Sequence, residues 1–533
     1  MKIGGSRRCH VMALVLVSVL GLTMAASGHA ASAPADPDPE TLSRLRWAET
    51  PGGEALLVGT DIEVGAERPE RVFPPVILFA NDAARAVAVR ELTVTGSDGK
   101  VRASTRPGKR LAGVQDLAES RADVLARLAD RDQERAVGLA RRGFAAFKDG
   151  IPVSDLELTD GTTTTFTVRA TLDVGGTEET IILPLEVTIA ALPTQTYWHG
   201  GDGHVHSSTW SDGGFTLDSQ VSAAKNDGQK FIIMTDHWGG IWKVANRGNA
   251  NWALYHDDCT AKQNAHGIPV LPGVETKTAA GKGHALGYAL SRSTVPPREE
   301  YWTPQELITK INAHTSGTSY AVIPHPYGGG SGFYGWGDWT ATGFRAIELM
   351  SNERQASAST QSKWFELLRG NIPGVIGGGR FAVGTAGTDT HLLARPGGNG
   401  MNWVRSTTSP LTRTAVWDAV RLGRVSASGR KDLGFFTLNS AQQGSVVIAD
   451  STTTLTFSMT QKPVTGRKCT EISIRDKNNG VVWSVSNPTS TTYTKSITAP
   501  SSDTFYVVKM VFAKTDNSDY SHVWCNPVFV DRR

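Results

Sequence analysis

The sequence predicts a multidomain α/β plus β protein, with a central α/β barrel flanked by an N-terminal β-rich domain and a C-terminal β-sandwich. Three observations lead there. The chain has 533 residues, and at roughly 150 residues per domain this length points to three domains. Between 197 and 429, short apolar runs each end in polar residues and give way to helix-like or loop segments, which is α/β punctuation. The flanks differ, with alternating β-branched residues before this stretch and Ser- and Thr-rich runs after it. Composition is globular, at 39% apolar and 20% charged, and a net charge of +3 is too small to select nucleic acid or an anionic membrane.

The N-terminus carries Lys2, Arg7 and Arg8, an apolar run over 11–26, and small residues at Gly28, Ala30, Ala31 and Ala33. That order reads as a secretory signal peptide over 1–31 and predicts a secreted or periplasmic protein. A membrane anchor is the other reading, but the run is shorter than the roughly 20 apolar residues a span requires. No later stretch is apolar enough to span, so no transmembrane segment is expected after signal removal. Arg7 and Arg8 also raise twin-arginine export, which carries folded metalloproteins. Cys9 leaves with the signal. Cys469 and Cys525, in one strand-rich region, either pair in an oxidising compartment or stay buried as free thiols, and Cys259 stands alone.

A Pro-, Ala- and Asp-rich linker over 33–40 opens the N-terminal domain, 32–193. Strand-like runs follow at 72–79 and 86–94. A helical segment over 111–148 has Leu117, Val124, Leu125 and Leu128 near the helix period. Residues 163–190 alternate, as in Phe166, Val168 and Ala170, and stop at Pro193. The central domain, 194–431, has strand-like runs at 231–234, 269–274, 285–289, 320–323, 344–350 and 381–383. The last domain, 432–533, has runs at 453–458, 481–485 and 505–512 that suggest a β-sandwich. No internal repeat is visible.

The chemistry concentrates in the centre. Of 13 histidines, ten lie between His199 and His391, most of them at the ends of the expected strands, where a barrel binds ligands. In Asp202-Gly203-His204-Val205-His206-Ser207 a two-residue spacing on an extended segment turns both imidazoles to one side, as two ligands of one metal require. Phe231-Ile232-Ile233-Met234 runs into Thr235-Asp236-His237, so a carboxylate and an imidazole leave one strand end. Leu271-Pro272-Gly273-Val274-Glu275 delivers a carboxylate able to bridge two cations, and His284 opens the next run. Ile323-Pro324-His325-Pro326 stiffens the backbone around an imidazole. Gly387-Thr388-Asp389-Thr390-His391 repeats the two-residue spacing. Singly, each pair also reads as a packed histidine or a turn; together they read as a metal cluster.

Asp202 to Ser207, Ser211-Asp212-Gly213, Thr235-Asp236-His237, Gly273-Val274-Glu275, His325-Pro326 and Gly387 to His391 appear in the order in which they resemble the polymerase and histidinol phosphatase, or PHP, domain. The resemblance covers 197–429. It implies a distorted (β/α)7 barrel with a trinuclear metal site at the carboxyl ends of its strands. Carried across, the ligands fall on His204, His206, Asp212, His237, Glu275, His284, His325, Asp389 and His391. The interval from His206 to Asp212 is one residue longer than in many relatives, so Asp212 also reads as a helix or turn cap. His256 and His266 compete with His284. Asp202 and Asp236 are expected to orient ligand imidazoles, with Glu348 in a similar supporting role. Gly423-Arg424-Val425-Ser426-Ala427-Ser428-Gly429 and Asn526-Pro527 resemble a secreted branch that includes carbaryl-hydrolase-like metallohydrolases.

These features predict an exported phosphoesterase acting on a phosphomonoester or phosphodiester, small or polymer-borne, through a metal-activated water, with no protein nucleophile. Two or three divalent cations are expected, manganese or zinc with iron also suited to mixed nitrogen and oxygen ligands. Arg395 is either a phosphate contact or an ordinary loop arginine. Hydrolysis of an ester, carbamate or amide is the alternative chemistry. A non-catalytic metal- or glycan-binding surface protein is the alternative of another class. The loop 327–339, with Tyr327, Phe333, Tyr334, Trp336 and Trp339, either closes over an apolar substrate group or packs against a flanking β domain. No basic stripe with interleaved aromatics marks a nucleic-acid reader. Oligomeric state is not legible.

Overall fold

The computed structural model describes residues 45–533 apart from 66–70, 73–75, 81–85, 107, 112–150, 153–158, 280–281, 297–301, 316, 328–334, 352 and 392–398. The leader, Cys9, the linker and the helical segment expected from 111 to 148 lie outside the described residues, except Leu111, which ends the strand Lys109–Leu111. The N-terminal region is β-rich. Strands Leu45–Glu49, Ala55–Thr60 and Val76–Ala80 form one antiparallel sheet. A second sheet is built on the long alternating stretch, which folds back on itself as the hairpin Thr163–Val174 and Thr177–Ile189. The turn falls at Gly175 and Gly176, whose φ of 60° and 92° suit residues without Cβ. Every second side chain of the hairpin, among them Val168, Leu172, Leu183 and Leu185, enters a core with Leu57 and Leu78 of the first sheet.

The central region contains β1 (Trp198–Val205), β2 (Phe231–Met234), β3 (Val270–Pro272), β4 (Val274–Lys277), β5 (His284–Tyr288), β6 (Tyr320–Ile323), β7 (Ala346–Ser351), β8 (Val383–Gly387), β9 (Met401–Arg405) and β10 (Val425–Ser428). Between them run α1 (Leu217–Asn226), α2 (Trp238–Lys243), α3 (Ala250–His266), α4 (Pro304–His314), α5 (Ala358–Ile376) and α6 (Arg413–Arg421). Local chemistry starts these helices where they are needed. α4 opens on a reciprocal Thr303 and Glu306 capping box with Pro304 in its first turn, and buries Leu307, Ile308 and Ile311. The strands are covered on both faces. In β2, Phe231 and Ile233 enter one core while Ile232 and Met234 enter another, as two-residue alternation requires.

The expected (β/α)7 barrel is not what forms. Strands β1, β2 and β3 pair in parallel within one sheet, while β4 to β8 make a second sheet in which β5 is antiparallel to both neighbours. Between β1–β3 and β4–β8 the described pairings across the two arcs are isolated bridges, Val205 with Thr390 and His237 with Glu275. At one join the chain passes from β3 to β4 through Pro272, which has no amide proton, and Gly273. At the other, side chains occupy the edge of β8. The Asn402 amide exchanges hydrogen bonds with the Ala386 N–H and C=O, and the Asn526 amide does the same at Gly384. Two primary amides thus stand where a neighbouring strand would pair.

The C-terminal strands are not separated from this centre. β10 pairs with Ser521–Cys525, extending the β1 sheet into the C-terminal region, and Phe505, Trp524 and Phe529 share a core with Trp364 and Phe365 of α5. The boundary expected at 431 and 432 therefore falls inside a common sheet and core. A buried ionic cluster lies at the same place. Asp519 receives Arg430 at 2.7 Å, Arg354 at 2.9 Å and Arg467 at 3.2 Å, and Arg467 also reaches Asp432 at 2.9 Å. Of the two readings of Cys469 and Cys525, the structure has the free thiols: both, like Cys259, are buried and unpaired with each other, and burial pushes Cys469 and Cys525 up to about 12. Among the described residues no helix is long and apolar enough to cross a membrane.

Removing Asp519 leaves its arginines without that partner in a dry environment. Asp519→Ala is expected to lower unfolding stability by about 3–5 kcal/mol, read as a shift in the urea midpoint at unchanged slope.

Candidate metal centre

The ends of the strands converge. β1 ends on His204 and Val205, with His206 immediately beyond; β2 runs through Thr235 and Asp236 to His237; β4 carries Glu275; and β6, β7 and β8 lead to His325, Glu348, Asp389 and His391. His284 is the first residue of β5. Because β5 runs antiparallel, its start lies where its neighbours β4 and β6 bring Glu275 and His325. Two of the nine expected ligands hold left-handed backbone, His325 at φ 29° and Asp389 at φ 48°. Such conformations cost energy in a residue with Cβ and cluster at functional sites.

All nine expected ligands come together, in three overlapping groups. In the first, His204 Nε2 lies 3.1 Å from His206 Nε2, 3.4 Å from Glu275 Oε2 and 3.3 Å from Asp389 Oδ1. His206 Nε2 lies 3.1 Å from the same Glu275 oxygen and 3.3 Å from the same Asp389 oxygen. Donors sharing one tetrahedral cation at 2.0–2.1 Å stand about 3.3 Å apart, so this set fits a single ion. In the second group, His391 Nε2 is 3.5 Å and His237 Nε2 3.8 Å from the Asp212 carboxylate, with His206 Nδ1 4.0 Å from it. In the third, Glu275 Oε1 meets His284 Nδ1 at 2.6 Å and His325 Nε2 at 3.0 Å. Glu275 therefore turns one oxygen to the first group and the other to the third.

The polar accounting points the same way. His206 Nδ1, Asp389 Oδ1 and His391 Nε2 are buried with no hydrogen-bond partner among the described residues, an expense that buried polar atoms normally avoid. Charges in the cluster are mutually dependent. Burial alone would raise Asp212 and Asp389, yet His237 and His391 beside Asp212, and His204 and His391 beside Asp389, hold both carboxyls well below their usual range. Burial opposes a charge on His391, but Asp212 and Asp389 push it up to about 9. Burial takes His284 down to about 4 despite Glu275. Three ionised carboxylates among six imidazoles call for positive charge, which divalent cations supply when bound.

Glu348 touches two members of this set. Its Oε1 accepts from His204 Nδ1 at 3.0 Å, and its Oε2 accepts from the His325 main-chain N–H at 3.1 Å. Asp202 and Asp236 bond to the backbone that carries the candidate ligands. Asp202 accepts from the amides of His204 and Thr388 and from the Thr388 hydroxyl, tying β1 to the loop that follows β8. Asp236 accepts from the N–H and hydroxyl of Ser207. Both shape backbone because the ligands follow one another closely along the chain, and the intervening amides need acceptors. Asp212 does not cap a helix: Ser211 donates to it at 2.7 Å while accepting from the His237 N–H.

The competitors for His284 lie elsewhere. His256 packs edge-on against Trp252, and His266 pairs with Asp218. Arg395 lies outside the described residues, as do Phe333 and Tyr334 of the aromatic loop. Of that loop's other aromatics, Trp336 is buried in a core, and Tyr327 stacks on Trp339 at 5.6 Å. Sequence reading missed Asn402 as a positioning residue, because an isolated asparagine has no pattern. Asn526 and the 423–429 run were noticed for their resemblance and prove to be, respectively, the second amide on β8 and the strand β10.

No protein-family model matches the chain, and no curated protein matches it in sequence. Among solved structures it is similar to a two-domain protein from Bacteroides vulgatus, described as containing a predicted PHP-like metal-dependent phosphoesterase. The identity is 14%, the coverage 63% of this chain and 98% of that chain, and the TM-score 0.34. It is also similar to a Bacteroides uniformis β-glucuronidase at 9% identity, covering 92% of this chain and 61% of that chain with a TM-score of 0.17. A Parabacteroides merdae β-glucuronidase gives 7% identity, 92% and 64% coverage and a TM-score of 0.18. Likeness at this level carries no conclusion about chemistry.

Two substitutions test the cluster without touching a donor. A Cβ on Gly387 would fall 2.5 Å from His204 Cβ and 2.6 Å from Glu348 Oε1, so Gly387→Ala is expected to displace both and strip the protein of metal, measured by elemental analysis after gel filtration. Glu348→Gln keeps the shape but loses the charge on the His204 N–H, and about 10- to 100-fold weaker metal retention against a chelator is expected.

Proposed function

We propose that this protein is an exported, metal-dependent phosphoesterase of the PHP type, holding two or three divalent cations. The observation that carries this reading is the convergence of nine donors into three groups joined by Glu275 and His206, combined with the order of the motifs along the chain. Each group keeps at least three donors even when a neutral His206, with one acceptor nitrogen, serves the first group only. Mixed imidazole and carboxylate donors suit manganese, zinc or iron. Bound cations would activate a water and polarise the oxygen of the scissile bond.

The protein's own contribution is placement and exclusion. His204, His206 and Glu275 are sealed from solvent, whereas the Asp212 and Asp389 side chains retain 23% and 22% of their exposure. Substrate therefore approaches past these two carboxylates. Cluster donors fixed by Glu348, Asp202 and Asp236 need little rearrangement as charge develops, which is the main advantage of a preorganised site. The charged and apolar leader supports export.

The double variant His204→Ala, His206→Ala removes both imidazoles of the first group. Purified wild type is expected to hydrolyse p-nitrophenyl phosphate or bis-p-nitrophenyl phosphate in a metal-dependent way, and the variant to lose at least about 1,000-fold of that turnover. Turnover confined to p-nitrophenyl acetate or an aryl carbamate would transfer the function to carbonyl hydrolysis. Bound metal with no turnover on any of the four would overturn catalysis in favour of a binding role.

A further inference from the structure

A cavity lies at the end of β1 away from the metal cluster. It has a volume of about 450 Å³ and is bounded by the segment 192–200 together with Gly228, Lys230, Trp403 and Lys462. Its size falls within the roughly 300–1,000 Å³ of small-molecule sites. Trp198 and His204 stand near opposite ends of β1, about 20 Å apart at the rise of an extended strand, so the cavity is separate from the metal cluster. Nothing in the proposed phosphoesterase chemistry uses it.

Its lining has one sign of charge. Lys230 and Lys462 supply it, His199 beside them is pushed toward its neutral form by burial, and no carboxylate occurs among the described residues that line the cavity. Lys462 Nζ donates to the Thr194 carbonyl at 2.7 Å, which fixes the ammonium in place and uses one of its three protons. The rest of the wall is aromatic. Trp198 is held by stacking on Phe435 at 4.8 Å, and Tyr197 is 48% exposed and held at φ 68°, with the Arg405 guanidinium 5.8 Å from its ring. Trp403, 2% exposed, completes the aromatic part of the lining. A wall of cations and ring faces is the chemistry that receives an anionic group carried on a ring with apolar C–H faces.

We infer that this cavity is a binding site for a small sugar anion, a phosphorylated or carboxylated monosaccharide, with Lys230 and Lys462 meeting the anionic group and Tyr197 and Trp198 the ring. The site operates independently of the cations and of hydrolysis. The test is calorimetric titration of the full mature chain with glucose 6-phosphate, glucuronate and glucose. It is repeated in the His204→Ala, His206→Ala background, so that anion held by bound metal is not counted. At least one sugar anion is expected to bind with a dissociation constant below about 1 mM, at least tenfold more tightly than glucose, in both backgrounds. Lys230→Gln, Lys462→Gln is expected to weaken it by about tenfold or more, as loss of charged hydrogen bonds implies, with the thermal transition and metal content unchanged. Which anion binds separates phosphate from carboxylate as the natural group. Absence of saturable binding by either anion, equal binding of glucose, or full affinity in the lysine variant would each overturn the assignment. Should the double variant fail to fold, Tyr197→Ala and Lys462→Met tested singly give the same readout.

Discussion

The structure turns on a single carboxylate. Glu275 is 1% exposed and faces imidazoles from four separate segments: His204 and His206 from β1 and its extension, His237 after β2, His284 on β5 and His325 after β6. An ionised carboxylate buried this deeply is tolerated only when surrounded by compensating charge and donors. That requirement draws the ends of the strands toward one point. It also explains why β4 leaves the ladder of β2 and β3 at Gly273, since its pairing with β5 brings His284 beside Glu275. The two-sheet architecture and the cluster are one arrangement seen at two scales.

Much of this was legible in the chain. The strand-like runs at 231–234 and 320–323 coincide with β2 and β6 because both are short, wholly apolar and bounded by polar residues. The clustered residues could be read because most follow strand ends, two pairs of them at a two-residue spacing, a pattern set by backbone geometry. The expectation for 381–383 instead falls at the start of β8, whose Val383–Gly387 contains two glycines and a threonine. Small residues there admit His204 and Glu348 at close range, so packing against the site erased the apolar signature. β1 was legible only as the extended segment from Asp202 and not as an apolar run, because it has three glycines, Gly200, Gly201 and Gly203, in eight residues. The barrel expectation failed at its joins because closure depends on pairing between distant segments, and Asn402 and Asn526 intercept that pairing through side chains.

The same physics governs the C-terminal region. Strand alternation in 505–512 marks a sandwich core, but a sequence does not say which of two cores a buried face enters. Phe505 and Val507 enter the core shared with α5, while Tyr506 and Val508 enter the sandwich core. The arginines around Asp519 were unreadable for a related reason. Arg354, Arg430 and Arg467 lie on different segments, and only tertiary structure shows that a charge normally at the surface has been buried against a partner. The C-terminal strands are thus part of the wall that holds the central region.

The amide of Asn526 grips β8 across 142 positions of sequence. A chain made N-terminus first can place His204, His237, Glu275 and His325 while that asparagine is still unmade. On the edge of the strand leading to Asp389 and His391, Asn402 covers Ala386, and Gly384 is covered only by Asn526 from the C-terminal region. Long-range closure of this kind is slow relative to local folding. Asn526 thus makes the edge of the strand that leads to Asp389 and His391 depend on a part of the chain far from every other residue of the cluster.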